Sequence, residues 1–292
     1  MTMEIVNNIR NTRNFVDESF QSHRPEIYDL FIYFSEHHIS CAVAERETRK
    51  FIGLESREIN FSKDDPEIIF SEIAGNSTLF QPYNYRRVIF CSGFNSSTLI
   101  PNPLYEPSMA EQQLKFSHVV HEKDEIITDE LRQIEARNIF AFPSTIYKKI
   151  TSWFPNVEFH HSSTAMIEYL LSKNRNSEFE MMTVNAHQHF IEIIVTRGKE
   201  ILLYNSYYFE SPEELVYYIL FACEQLHLNP ENIDVQFAGE ISLTDSAYML
   251  ARKYIRNTQM AERPSNYTYS YGFHSLPSQF HFNLFCQLVC AS

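Results

Sequence analysis

The same punctuation occurs twice in this chain, at one fixed offset. Pro66 stands at the start of a helix-like run and Gly93 closes the apolar run that follows; Pro212 and Gly239 repeat this 146 residues later. Before each proline lie three short runs of apolar, β-branched and aromatic residues separated by polar turns. They are "YDLFIYFS", "ISCAVAE" and "FIGLESREI" in the first case, and "EFEMMTVNA", "HFIEIIVTRG" and "KEILLYNSYYF" in the second. Such runs read as strand meanders. Asp64 or Asp65 is expected to cap the first helix, with Pro66 in its first turn and Glu67 at the positive end of its dipole; Ser211 and Pro212 are expected to do the same for the second. Side-chain identity between the halves is low, so the repeat is read as a duplication of structure.

The remaining segments fit between these units. "SHVVHEKDEIITDELRQIEARNIFAF" reads as a pair of extended segments, an insertion over about 111–143. "PSTIYKKITSWF", "VEFHHSS" and "TAMIEYLLSKN" read as helix, strand and helix, with the polar stretch "SKNRNSE" as the boundary. This gives a first half over 1–176 and a second over 177–292. In the second, "TDSAYMLARKYIRN" is expected to be a helix capped by Thr244 or Asp245. The aromatic tail from Tyr267 is expected to dock, with Tyr267, Tyr269 and Tyr271 on one strand face.

Composition narrows the partners. The chain has 292 residues, enough for two domains, and 37 acidic against 24 basic side chains give a net charge of −13. Such a surface repels nucleic-acid backbones and anionic membranes. No apolar run is long enough to span a bilayer. "MTMEIVNNIRNTRNFVDESF" has no signal-peptide pattern. Five cysteines, an odd number without a CxxC pair, sit among apolar neighbours, which fits buried thiols in a reducing, cytoplasmic setting.

A β-β-β-α-β-α order made twice resembles the actin-like ATPase superfamily. The two meanders, the helices at Pro66 and Pro212 and the strands ending at Gly93 and Gly239 carry that resemblance. More narrowly, the chain is similar to an uncharacterised bacterial family with this fold, and distantly to actin-like proteins of pilus and type II secretion assembly. The resemblance implies an α/β, duplicated, ribonuclease H-like fold whose halves flank an interdomain cleft. It also implies that the turn joining the first two strands of each half would be a phosphate loop, usually with an Asp one residue before a Gly. Here those turns read Phe34-Ser35-Glu36-His37-His38 and Asn185-Ala186-His187-Gln188-His189. Neither contains a Gly, and neither has an Asp at the strand end. Cβ atoms there would crowd a phosphate and Glu36 would repel one. Single glycines, Gly93 and Gly239, stand where a pair would lie on the adenosine side.

The expectation is therefore a non-catalytic scaffold or interaction module with no cofactor and with protein partners, a homodimer through the aromatic tail among the assemblies it would allow. The alternative is a nucleotide or small-ligand binder with weak ATPase- or kinase-like activity. Ser35, Glu36, His37, His187, His189, Gly93, Asn95 and Gly239 are the expected cleft-lining residues, with Ser96, Ser97, Thr98, Ser242 and Thr244 close behind. His37, His38, His160, His161, His187 and His189 would make a metal site only if the halves brought them together, and no metal-ligand spacing supports it. Cys91 next to Ser92 and Gly93 lacks a nucleophile elbow and reads as core. Ser162, Ser163 and Thr164 read as an ordinary helix cap.

Overall fold

The structure, a computed structural model, describes residues 13–59 and 66–290. Its elements run β1 (Arg13–Val16), β2 (Tyr28–Phe34), β3 (His38–Glu45), β4 (Lys50–Glu58), α1 (Pro66–Gly75) and β5 (Arg87–Ser92). There follow β6 (Ser97–Pro101), α2 (Ala110–Lys115), β7 (Asp124–Leu131), β8 (Ala136–Pro143), α3 (Ser144–Trp153), β9 (Val157–His161) and α4 (Ser162–Asn174). The remainder is β10 (Glu180–Ala186), β11 (Phe190–Arg197), β12 (Glu200–Tyr208), α5 (Pro212–Gln225), β13 (Asp234–Gly239), α6 (Ser246–Ala251), β14 (Asn257–Met260), β15 (Thr268–Tyr269) and α7 (Phe282–Cys286).

Two sheets share one topology. The first is ordered β1-β4-β3-β2-β5-β9, with β15 beside β4; the second is β12-β11-β10-β13-β14. In each, an antiparallel meander continues through two parallel strands, β5 and β9 or β13 and β14. The meander strands β2, β3, β10 and β11 are buried almost throughout, which explains why they read as continuous apolar runs rather than alternating ones. A third sheet, β6-β8-β7, forms the insertion, and it begins earlier than the expected segment because β6 pairs with β8.

The equal spacing overstates the equivalence of the halves. The first two strands are displaced by 152 residues, the third by 150 and the helices by 146. Two of these six residues arise in the turn from second to third strand and four in the connection from third strand to helix. The ladders also show that the two glycines are not equivalent. Gly93 donates its N–H to the Phe34 carbonyl, whereas at the matching Ala186 carbonyl the donor is Glu240.

Local chemistry explains the helix boundaries. Ser211 caps α5, its hydroxyl accepting from the Glu214 N–H at 3.2 Å. Asp64 and Asp65 lie outside the described residues. At α4 the cap is His161 rather than a serine: Ser162, Ser163 and Thr164 already belong to the helix, and the His161 imidazole accepts from the Ser163 N–H. Asp245 occupies the cap position of α6, but its carboxylate accepts from the Ser242 N–H instead. That helix ends at Ala251, sooner than expected, because Asn257 must already pair with Asp234 to start β14.

Three large apolar clusters fill the molecule. One lies behind the first sheet under α1 and α3, and one behind the second sheet under α5 and α6. The third joins β2–β5, α4, β11 and β13 to the C-terminal segment, so the tail docks as its apolar content requires. Tyr271 is 85% exposed and lies outside the two-residue strand β15, which breaks the expected one-face tyrosine pattern. All five cysteines are free and buried. Burial pushes the Cys91 and Cys286 thiols far above their ordinary range. No helix among the described residues is long and apolar enough to cross a membrane.

Candidate functional site

The two β-hairpin turns face each other across the cleft. Each is a two-residue tip. Ser35 N–H donates to the His38 carbonyl, leaving Glu36-His37 as one tip; His187 N–H donates to the Phe190 carbonyl, leaving Gln188-His189 as the other. The tip carbonyls are used in matching fashion, His37 O accepting from Ile59 N–H and His189 O from Phe209 N–H. His37 and His189 are thus topological counterparts. Their rings meet edge to face with centroids 5.4 Å apart.

Beneath the tips runs a buried polar chain that ties the halves together. The Tyr33 hydroxyl reaches His187 Nδ1 at 3.4 Å, and His187 Nε2 reaches Glu192 Oε2 at 2.9 Å. Asn185 Nδ2 donates to Glu192 Oε2 and to Asn283 Oδ1, both at 2.8 Å. Tyr204 donates to Glu192 Oε1 at 3.3 Å and shares a hydrogen with Ser97 at 3.1 Å. This network assigns the Nε2–H tautomer to His187, with Nδ1 accepting from the tyrosine. Burial alone would push the Glu192 carboxyl up, but the hydrogen bond from His187, the electrostatic influence of His187 and His161 and the Asn185 amide outweigh it and hold the carboxyl below its ordinary value. Burial pushes the Tyr33 phenol up, reinforced by Glu192 and Glu240, so it remains a neutral donor.

The glycines serve this geometry. A Cβ on Gly93 would overlap the Tyr33 phenol, so its absence lets Tyr33 reach across to His187. Gly239 has φ +82° and a Cβ there would collide with the Ala186 carbonyl; both demands exclude an ordinary side chain.

All eight residues expected at the cleft line one of two adjoining recesses there. The larger holds about 90 Å³ and the smaller about 50 Å³. Glu58, Glu240 and Asp245 line the larger, and no Lys or Arg lines either. Burial pushes the His38 imidazole down, against the opposing charge of Glu240, and that ring lies 5.6 Å from the ring of His281, whose backbone is left-handed at φ 57°.

The other histidines do not join. His160 Nδ1 pairs with Asp129 at 3.0 Å, and His161 Nε2 pairs with the Phe94 carbonyl at 2.8 Å. Among the described residues no group of three His, Cys, Asp or Glu is placed to hold a metal ion. Sequence reasoning missed Tyr33, Asn185, Glu192 and Tyr204. A signal was present: Asn185 and Glu192 interrupt otherwise apolar strand runs, and a polar group inside a buried strand has to find partners.

Comparison with known proteins places this geometry. Residues 17–258 match a family model described as "Protein of unknown function (DUF3822)". A crystal structure of a Bacteroides thetaiotaomicron VPI-5482 protein with an actin-like ATPase fold and unknown function superposes with a TM-score of 0.76. Identity is 22%, over 83% of this chain and 93% of that one. The PilM-PilN type IV pilus biogenesis complex superposes with a TM-score of 0.64 at 10% identity, covering 92% of this chain and 100% of the matched chain. No curated protein matches in sequence. These likenesses show the actin-like ATPase fold.

Proposed function

The chain belongs to the DUF3822 family of proteins of unknown function, and from that premise we propose that it is a non-catalytic, actin-like interaction module whose hairpin turns no longer serve a triphosphate. The observation that carries this reading is the closed mouth of the cleft, where the His37 ring stands edge-on to the His189 ring at 5.4 Å. Two further features support it. Beside a more open recess of about 430 Å³ along His37, Arg57, Glu58 and Gln188, the recess at Glu240 and Asp245 holds about 90 Å³, well short of the roughly 300–1,000 Å³ of small-molecule pockets. Acidic side chains line it without any Lys or Arg, the reverse of what polyphosphate needs. In this reading residues 1–176 and 177–292 form two halves of a bacterial cytoplasmic protein, and protein partners take the place of nucleotide chemistry. The structural neighbour in the PilM-PilN complex offers a precedent for this fold working through a partner.

Isothermal calorimetry with Mg-ATP tests the reading. The expected result is dilution heat alone up to millimolar nucleotide, with no phosphate release. A micromolar dissociation constant would replace it with the alternative of a ligand-binding, weakly ATPase- or kinase-like protein.

A further inference from the structure

The larger recess has a second set of features that the closed mouth does not explain. Two of the residues that line it, Ser40 and Asn185, each have a buried polar atom without a hydrogen-bond partner in the chain, Ser40 Oγ and Asn185 Oδ1. The residues are 1% and 0% exposed. Asn185 has committed its Nδ2 to Glu192 and Asn283, so turning the amide over would break two good hydrogen bonds; the orphan is an acceptor. Both it and the Ala186 carbonyl lie where a Cβ on Gly239 would crowd them. A buried acceptor left unpaired is costly, so such an atom calls for a donor from outside the chain.

We infer that this recess binds a guanidinium or alkylammonium group. Asn185 Oδ1 and Ser40 Oγ, on two of its lining residues, are acceptors that the chain leaves free. Glu58, Glu240 and Asp245 line it with carboxylates, and Tyr33 and Phe280 are aromatic residues of its wall, a combination that suits an organic cation. The volume, about 90 Å³, lies below that of ordinary small-molecule pockets and suits a head group rather than a whole nucleotide. An anion is disfavoured by the carboxylates. A metal ion is disfavoured because no three His, Cys, Asp or Glu among the described residues converge on one point. The cation can come from a free amine or from an arginine or lysine side chain of a partner. The second source deepens the interaction-module reading and rests on it; the site itself does not.

Titration calorimetry of the full chain tests this with agmatine and with a blocked Gly-Arg-Gly peptide, its citrulline counterpart and inorganic triphosphate as controls. Saturable binding of agmatine is expected, with at least about a ten-fold loss on Glu240→Gln, an exposed position whose change leaves the melting temperature in place. Ser40→Ala should weaken binding as well. Binding of the arginine peptide, with about ten-fold weaker binding of the uncharged citrulline form, supports a side-chain source; agmatine alone supports a free amine. No saturable binding of either cation, or equal binding of the citrulline peptide, overturns the site. Triphosphate binding would instead overturn the interaction-module reading, so the two failures are distinguishable.

Discussion

Replacing Phe51 by alanine is expected to lower stability by about 3–5 kcal/mol and to release the C-terminal segment from the rest of the chain. Phe51 is fully buried on β4 and sits at the centre of an aromatic group. Its ring centroid lies 5.1 Å from Phe285, 5.3 Å from Tyr269 and 5.6 Å from both Phe31 and Tyr267. Its backbone holds the same segment: Tyr269 stands opposite Phe51 in the β4–β15 ladder, and Ser270 N–H donates to the Phe51 carbonyl at 2.9 Å. The tail in turn reaches both halves. Gln287 Nε2 donates to the Ile32 carbonyl, and the Gln279 carbonyl accepts from Gly239 N–H. A cavity at Phe51 therefore loosens a strap that crosses the cleft. Urea unfolding should show the drop, and limited proteolysis should cut within residues 261–290 before the sheets. Tyr271→Ala, at an exposed position in the same segment, should change stability by no more than about 0.5 kcal/mol. A loss below about 1 kcal/mol in Phe51→Ala, with the tail still resistant, would show that the tail is held elsewhere.

The same contrast between tail and meander marks what the sequence makes legible. The strands β2–β4 and β10–β12 and the helix α5 could be read because their signals are local: apolar runs, polar turns, and a Ser-Pro start. The order of these elements then constrains the topology, since sequential strands tend to pair and parallel returns need a crossover. Residue spacing proved a poorer guide than order. Gly93 and Gly239 share an offset with the two prolines, yet one clears the Tyr33 ring and the other adopts φ +82° beside the Ala186 carbonyl. Their common identity comes from two different steric demands. The hairpin tips were legible as positions, and His37, His189 and Glu36 do line the cleft. What could not be read was the polar chain from Tyr33 through His187 and Glu192 to Tyr204, because its partners lie 154, 5 and 12 residues apart and converge only once both sheets are packed. The orphan acceptors at Ser40 and Asn185 are likewise invisible in one dimension, since being unpaired is a property of surroundings.

Glu192→Ala is expected to cost about 1–3 kcal/mol for each buried donor it leaves without an acceptor, and to change how stability depends on pH. Glu192 is 3% exposed. Its loss leaves His187 Nε2–H and the Tyr204 hydroxyl without their acceptor and takes from Asn185 one of its two. Because those groups come from different strands and reach Tyr33 and Ser97, the effect should spread across the cleft rather than stay within β11. The pH signature separates charge from packing. The Glu192 carboxyl is held below its ordinary value when folded, so its contribution is present above the unfolded value of about 4.3 and is lost as pH falls through the folded one. His38 and His161 are pushed down by burial, so the unfolded chain takes up protons first and stability begins to fall below about pH 6.5. The native chain should therefore lose stability in two stages as it is acidified, near pH 6.5 and again below about 4.3. In Glu192→Gln, which keeps the shape and an acceptor but not the charge, the lower stage should shrink while the upper one persists. Urea midpoints measured from pH 8 to pH 3.5 provide the check. An unchanged lower stage in the glutamine variant would mean that the carboxylate linking His187 to Tyr204 carries no net charge stabilisation, and that the halves are held by the apolar cluster and the tail alone.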